Sequence, residues 1–141
     1  MKILVLNCGS SSIKYALYSM TDQSVITSGG IEKIGLPDSC IIVKLNGEKH
    51  KMERPIEEHT AGVQWIFEVL TTGEYAVLKS LDELDAVGHR MVHGGEKFNK
   101  SVVLTPEVME AFTACNDLAP LHNPANIKGV NAVSALLPNI T

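Results

Sequence analysis

Three stretches of this chain, and one thiol within the first of them, carry more polar functionality than a fold requires. In the first, Asn7-Cys8-Gly9-Ser10-Ser11-Ser12-Ile13-Lys14, a short apolar run ends in an amide, passes through a Gly-Ser turn and continues into a segment bearing a lysine. Consecutive backbone N–H groups in a tight turn form an anion-binding concavity. Serine hydroxyls add donors and an ammonium adds a point charge, so the set could clamp a phosphate. A P-loop would need Gly-x-x-x-x-Gly-Lys-Ser/Thr opening a helix. Here the second glycine is missing and the residues after the turn alternate as a strand, so the candidate is a hairpin clamp. Pattern alone fits a serine-rich hairpin with a solvated lysine equally well.

The second stretch is His89-Arg90-Met91-Val92-His93-Gly94-Gly95-Glu96. Its two histidines, four residues apart, would share a metal on a helix, but on a strand they stand roughly 13 Å apart. Arg90 beside a double glycine is the better candidate, because a planar guanidinium can grip two oxygens of a carboxylate or phosphate. A salt bridge from Arg90 to Glu96 or Asp85 is the plain alternative. In the third stretch, Pro120-Leu121-His122-Asn123-Pro124, two prolines hold His122 just ahead of a helix start, where anions are attracted and a histidine can donate to a phosphoryl oxygen. A histidine satisfied by loop backbone fits the same pattern. The fourth candidate is Cys8 as a nucleophile. No spacing supplies it with a base, and a small buried thiol after a core strand is the better reading.

The elements that must position these groups follow from periodicity. Residues 3–6 form an all-apolar run, as expected of a strand buried on both faces. Residues 12–18 alternate, with Ile13, Tyr15 and Leu17 on one face and Lys14 on the other, so the two runs make an antiparallel hairpin. A third strand is expected over 25–34, with Gly29-Gly30 as a bulge, and strands at 40–45 and 49–54 flank Asn46-Gly47, the strongest short hairpin signal. After Pro55, the residues Val63, Ile66, Phe67 and Leu70 recur at helical spacing, and Gly73 is a stop. Residues 85–92 read as a central strand running into a loop. Thr105-Pro106-Glu107 is an N-cap, a first-turn proline and a first-turn acid. Asn123-Pro124 opens a last helix with Ile127, Val130, Ser134 and Leu137 along one side. Strands first, then strands alternating with helices, give an α/β class: a mixed sheet with helices packed against it.

Composition bounds the possibilities. The 141 residues form one domain-sized unit that is 45% hydrophobic, too apolar for disorder. Twelve Lys+Arg against 16 Asp+Glu leave a net charge of −4, which is not the footprint of a nucleic-acid binder. No apolar run approaches the roughly 18 residues of a membrane span, and the first residues are too short an apolar run for a signal-peptide core. Cys8, Cys40 and Cys115 are odd in number and without a Cys-x-x-Cys, which suits reduced thiols in the cytoplasm.

Taken together, the clusters resemble those of the acetate kinase family, within the acetate/propionate/butyrate kinase group of the actin-like kinase superfamily. Asn7 to Lys14 is similar to that family's Asn-Ala-Gly-Ser-Ser-Ser-x-Lys motif, His89 to Glu96 to its His-Arg-x-Val-His-Gly-Gly-Glu, and Pro120 to Pro124 to its Pro-Leu-His-Asn-Pro. Cys8, where alanine is commoner, is the one departure. The resemblance implies a ribonuclease H-like/actin-like ATPase domain. It implies Asn7 helping to hold Mg²⁺, Ser10, Ser12 and Lys14 around the phosphates of ATP, and Arg90 on the carboxylate of acetate or the phosphoryl group of acetyl phosphate. It also implies His122 along the phosphoryl path and Val92 and Leu121 in a methyl-sized pocket. Residues 1–141 would then be the N-terminal domain of a longer cytoplasmic, homodimeric kinase without nucleic-acid or membrane partners. Its main catalytic aspartate would lie beyond residue 141, so this chain alone is expected to be inactive. A propionate or butyrate kinase, or a phosphate- or nucleotide-binding module without chemistry, are the alternatives.

Overall fold

The computed structural model describes residues 1–90, 103–114 and 123–141. Its strands are β1 (Lys2–Cys8), β2 (Ile13–Ser19), β3 (Ser24–Glu32), β4 (Cys40–Leu45), β5 (Glu48–Glu53) and β6 (Ala86–His89). They form one sheet in the order β5-β4-β3-β2-β1-β6. All neighbours are antiparallel except β1 and β6, which run parallel with Leu4 opposite Val87 and Leu6 opposite His89. A parallel neighbour requires a crossover. Helix α1 (His59–Thr71), between β5 and β6, supplies it and is followed by a 3-10 turn at Leu81–Glu83. Helices α2 (Pro106–Ala114) and α3 (Asn123–Leu136) complete the described chain.

One face of the sheet is the core. Leu4, Leu6 and Cys8 of β1, Ile13, Tyr15 and Leu17 of β2, Ile31 of β3 and Ile41 and Val43 of β4 pack with Val63, Ile66 and Leu70 of α1 and Val133 of α3. Each fully buried aliphatic side chain of this kind stabilises the fold by about 1.5–3 kcal/mol. Two glycines set how closely the helices approach. A Cβ at Gly62 of α1 would lie 2.9 Å from Cδ1 of Ile13, and one at Gly129 of α3 would run into Sγ of Cys8.

Several expectations are corrected. Among the described residues, 3–6 are covered on one face only: α1 and α3 pack on the same side of the sheet, so β1 alternates and Val5 is 37% exposed. Residues 85–92 do not make a central strand within the described chain. Among the described strands β6 lies at the edge, because the crossover lays it beyond β1. The Val87 N–H donates to the Thr141 carbonyl at 2.9 Å, so the chain end lies along the outer edge of β6. The irregularity in the sheet falls at Leu17/Tyr18, whereas Gly29 and Gly30 stay in register, and a Cβ at Gly29 would collide with the Ile42 carbonyl of β4. On α3 the buried side is Asn126, Gly129, Val130 and Val133, with Ser134 exposed; the small residues let this side come closest to the sheet. Thr105 does cap α2, its Oγ1 accepting from the Val108 N–H at 3.2 Å.

Candidate functional site

The β1–β2 hairpin brings the first motif to one end of the sheet. Asn7 pairs with Lys14 across it, and directly paired residues share a face, here the face opposite the helices. Arg90 follows His89, the partner of Leu6, and its N–H still donates to the Leu6 carbonyl at 3.1 Å. Alternation therefore places Arg90 level with Asn7 on the same helix-free face. Lys14 on β2, Asn7 on β1 and Arg90 just past the end of β6 thus form a row spanning roughly 10 Å at the usual strand spacing. Lys14 and Arg90 are exposed, Asn7 is half-buried, and neither cation makes an ion pair among the described residues. Asp85, the described acid considered as a partner for Arg90, instead accepts from the Lys2 N–H at 2.7 Å.

Beyond this row lies the Gly9–Ser12 turn. It is closed by the Gly9 N–H donating to the Ser12 carbonyl at 2.8 Å, and the Ser11 carbonyl accepts from the Ile34 N–H at 2.9 Å. The N–H groups of Ser10, Ser11 and Ser12 have no partner among the described residues, and Ser10 and Ser11 are exposed. Successive free amides next to a lysine are what an anion-binding concavity requires.

Two buried polar side chains that the sequence pattern did not single out stand behind this turn. His59, the first residue of α1 and 6% exposed, places Nε2 2.6 Å from the Gly9 carbonyl. Asn126 of α3, 3% exposed, donates from Nδ2 to the Cys8 carbonyl at 2.7 Å. A signal was present for Asn126: it is a polar residue one turn before Val130 on a helix side otherwise made of small and apolar residues. His59 carried none, because its partner is a backbone oxygen 50 residues away.

The remaining groups divide plainly. Burial pushes the Cys8 thiol up to about 11, so it is an inert core thiol and not a nucleophile. Burial holds the His89 imidazole down at about 4. Val92, Leu121 and His122 lie outside the described residues, as do His93, Glu96 and Cys115. The described donor set is one of hard oxygens: the Asn7 amide and nearby hydroxyls. Among the described residues no group of three or more His, Cys, Asp or Glu is placed to cage a metal. A donor set of this kind fits Mg²⁺, which keeps several waters and takes most remaining ligands from phosphate.

A mixed sheet with an antiparallel first hairpin, a parallel edge strand and helices on one face belongs to the actin-like ATPase class of folds. Residues 2–141 match the Acetokinase family, and the chain belongs to it. It is 67% identical over 141 residues to the acetate kinase of Bacteroides thetaiotaomicron, covering 99% of this chain and 35% of that protein. The crystal structure of Porphyromonas gingivalis acetate kinase superposes with a TM-score of 0.96 at 54% identity, over 99% of this chain and 35% of that one. That of a propionate kinase from Francisella tularensis does so with a TM-score of 0.88 at 33% identity, with the same shares covered. The chain thus spans about a third of the length of these relatives, 35% in each case.

Proposed function

We propose that this chain is the N-terminal domain of an acetate kinase, which moves a phosphoryl group between ATP and acetate to give ADP and acetyl phosphate. The observation that carries the reading is the row of Lys14, Asn7 and Arg90 on one face, next to a turn whose three serine amides have no partner among the described residues. Free amides and hydroxyls at Ser10 and Ser12 suit phosphate oxygens, and Lys14 adds a positive charge beside them. Arg90, on the far side of Asn7, has the bidentate fork that a carboxylate or phosphoryl group takes. In the forward direction a carboxylate oxygen of acetate attacks the γ-phosphorus, the bond to the β-bridging oxygen breaks, and ADP leaves with its electron pair. Such a transfer demands positioning and charge neutralisation more than covalent help, which is what these residues offer. Asn7 is the residue here that would hold Mg²⁺, and the ion, when bound, supplies charge neutralisation on the phosphate oxygens.

His122 along the phosphoryl path and Val92 and Leu121 around the methyl group complete this half of the site in the proposal. The full-length protein is taken to be a cytoplasmic homodimer without nucleic-acid or membrane partners, its catalytic aspartate in the part that follows residue 141. No helix among the described residues is long and apolar enough to cross a membrane.

The test is acetyl phosphate formation, trapped as hydroxamate, from ATP, Mg²⁺ and acetate. The full-length protein should produce it and the 141-residue chain should not; robust production by the chain alone would overturn the division of the site. Comparing kcat/KM for acetate and propionate fixes the acyl group. One methylene is worth only about 1–3 kcal/mol of discrimination.

A further inference from the structure

Turn residues that must present free N–H groups to a ligand cannot hold themselves in place with those same groups. In the Gly9–Ser12 turn the holding is done from the helix layer, through two consecutive carbonyls. Asn126 donates to the Cys8 carbonyl at 2.7 Å, and His59 Nε2 lies 2.6 Å from the Gly9 carbonyl. A carbonyl can only accept, so Nε2 of His59 carries the hydrogen.

The peptide plane converts these contacts into a direction. In a trans peptide the C=O and the following N–H point opposite ways, and the described chain contains no cis bond. With the Cys8 carbonyl drawn toward α3, the Gly9 N–H is turned across the hairpin, where it meets the Ser12 carbonyl at 2.8 Å. With the Gly9 carbonyl drawn toward α1, the Ser10 N–H is turned away from both helices, toward the side of the sheet that carries Lys14. Both anchors are buried, where a hydrogen bond is well defined and its loss leaves an unsatisfied polar group. The anchors come from helices 67 positions apart in the sequence, by the difference of their residue numbers, so the aim of the turn depends on the packed helix pair and not on local turn chemistry.

We propose that His59 and Asn126 are positioning residues for phosphate binding, fixing the Gly9 and Cys8 carbonyls so that the Ser10 N–H faces the ligand. This rests on the Gly9–Ser12 turn being the phosphate clamp. Neither residue touches the ligand; each acts through the backbone.

The experiment is a titration of the ¹⁵N-labelled 141-residue chain with ATP·Mg²⁺, read at the Ser10, Ser11 and Ser12 amides. The chain as it stands should show saturable shifts there. His59→Phe keeps an aromatic ring and removes the N–H donor; it should weaken binding about tenfold or more while the β4 and β5 amides keep their positions. His59→Gln, whose terminal amide reaches about as far as Nε2, should restore affinity to within about threefold. Asn126→Leu removes the second anchor and should weaken binding independently, which keeps the proposal testable should His59→Phe fail to fold. Unchanged affinity in either folded variant, or equal losses in His59→Phe and a folded His59→Gln, would overturn the positioning role. Absence of any shift at residues 10–12 in the unaltered chain would instead overturn the clamp itself, a separate result.

Discussion

Two hairpin turns of the same sheet show opposite ways of fixing a backbone. The turn between β4 and β5 is built from Asn46 and Gly47 at φ of +54° and +80°, the left-handed pair that a two-residue hairpin demands. A Cβ at Gly47 would meet nothing within 4 Å, so its shape is written in its own two residues. The turn between β1 and β2 contains no residue with positive φ. It is held by His59 and Asn126 from α1 and α3, and the amides of Ser10, Ser11 and Ser12 have no partner among the described residues. A structural turn satisfies itself locally. The β1–β2 turn, the proposed phosphate clamp, is supported from behind and has no described partner at its front, so it depends on the rest of the fold.

That contrast can be broken in graded steps. The largest effect expected is from acid. His89, beside Leu6 on the strand next to the anchored turn, is held at about 4 when folded, below the ordinary histidine value of about 6.5. A depressed histidine gives stability that is complete above the unfolded value and is lost as pH falls from about 6.5 to 4, a loss of about 3 kcal/mol. Urea midpoints at pH 7.5 and 4.5 measure it, and His89→Gln should flatten that part of the profile. Next comes charge: Lys14→Ala should lower ATP·Mg²⁺ affinity by about 10- to 100-fold, the equivalent of about 1.5–3 kcal/mol for a charge-assisted bond. Lys49→Ala, next to the β4–β5 turn, should leave it unchanged in the same titration.

Packing behind the anchored turn follows. Gly129→Ala drives a methyl into Sγ of Cys8, the residue whose carbonyl Asn126 holds, and should lower unfolding free energy by about 1–3 kcal/mol. Cys8→Ala in the same chain should recover part of that loss, read as a coupling term in a double-mutant cycle of denaturant unfolding. The smallest change is at the self-sufficient turn. Gly47→Ala meets no neighbour but must hold positive φ, so about 1 kcal/mol is expected, with ATP·Mg²⁺ binding untouched.

The same division decided what could be read in the sequence. Asn46-Gly47, the alternation of Ile13, Tyr15 and Leu17, and the Thr105 cap are local signals, and each marked its element. The burial of β1 is not legible locally, because the number of covered faces is set by where α1 and α3 lie, which no run of four residues records. The position of β6 is hidden for a similar reason: its apolar, glycine-containing pattern does not report whether a further strand lies outside it. Around the site, Asn7, Lys14 and Arg90 were legible as residue types, and their shared face emerged only from the parallel register of β1 and β6. His59 left no signal, because it acts on a main-chain oxygen far away in the sequence; Asn126 showed only as a polar residue on an otherwise small and apolar helix side, with nothing to name its partner.

The most direct measurement of the central claim compares the two turns in one titration. Adding ATP·Mg²⁺ to the ¹⁵N-labelled chain should move the amides of Ser10, Ser11 and Ser12 in a saturable way and leave those of Asn46 and Gly47 in place. Equal movement at both turns, or none at residues 10–12, would contradict the assignment of the anchored turn as the phosphate clamp.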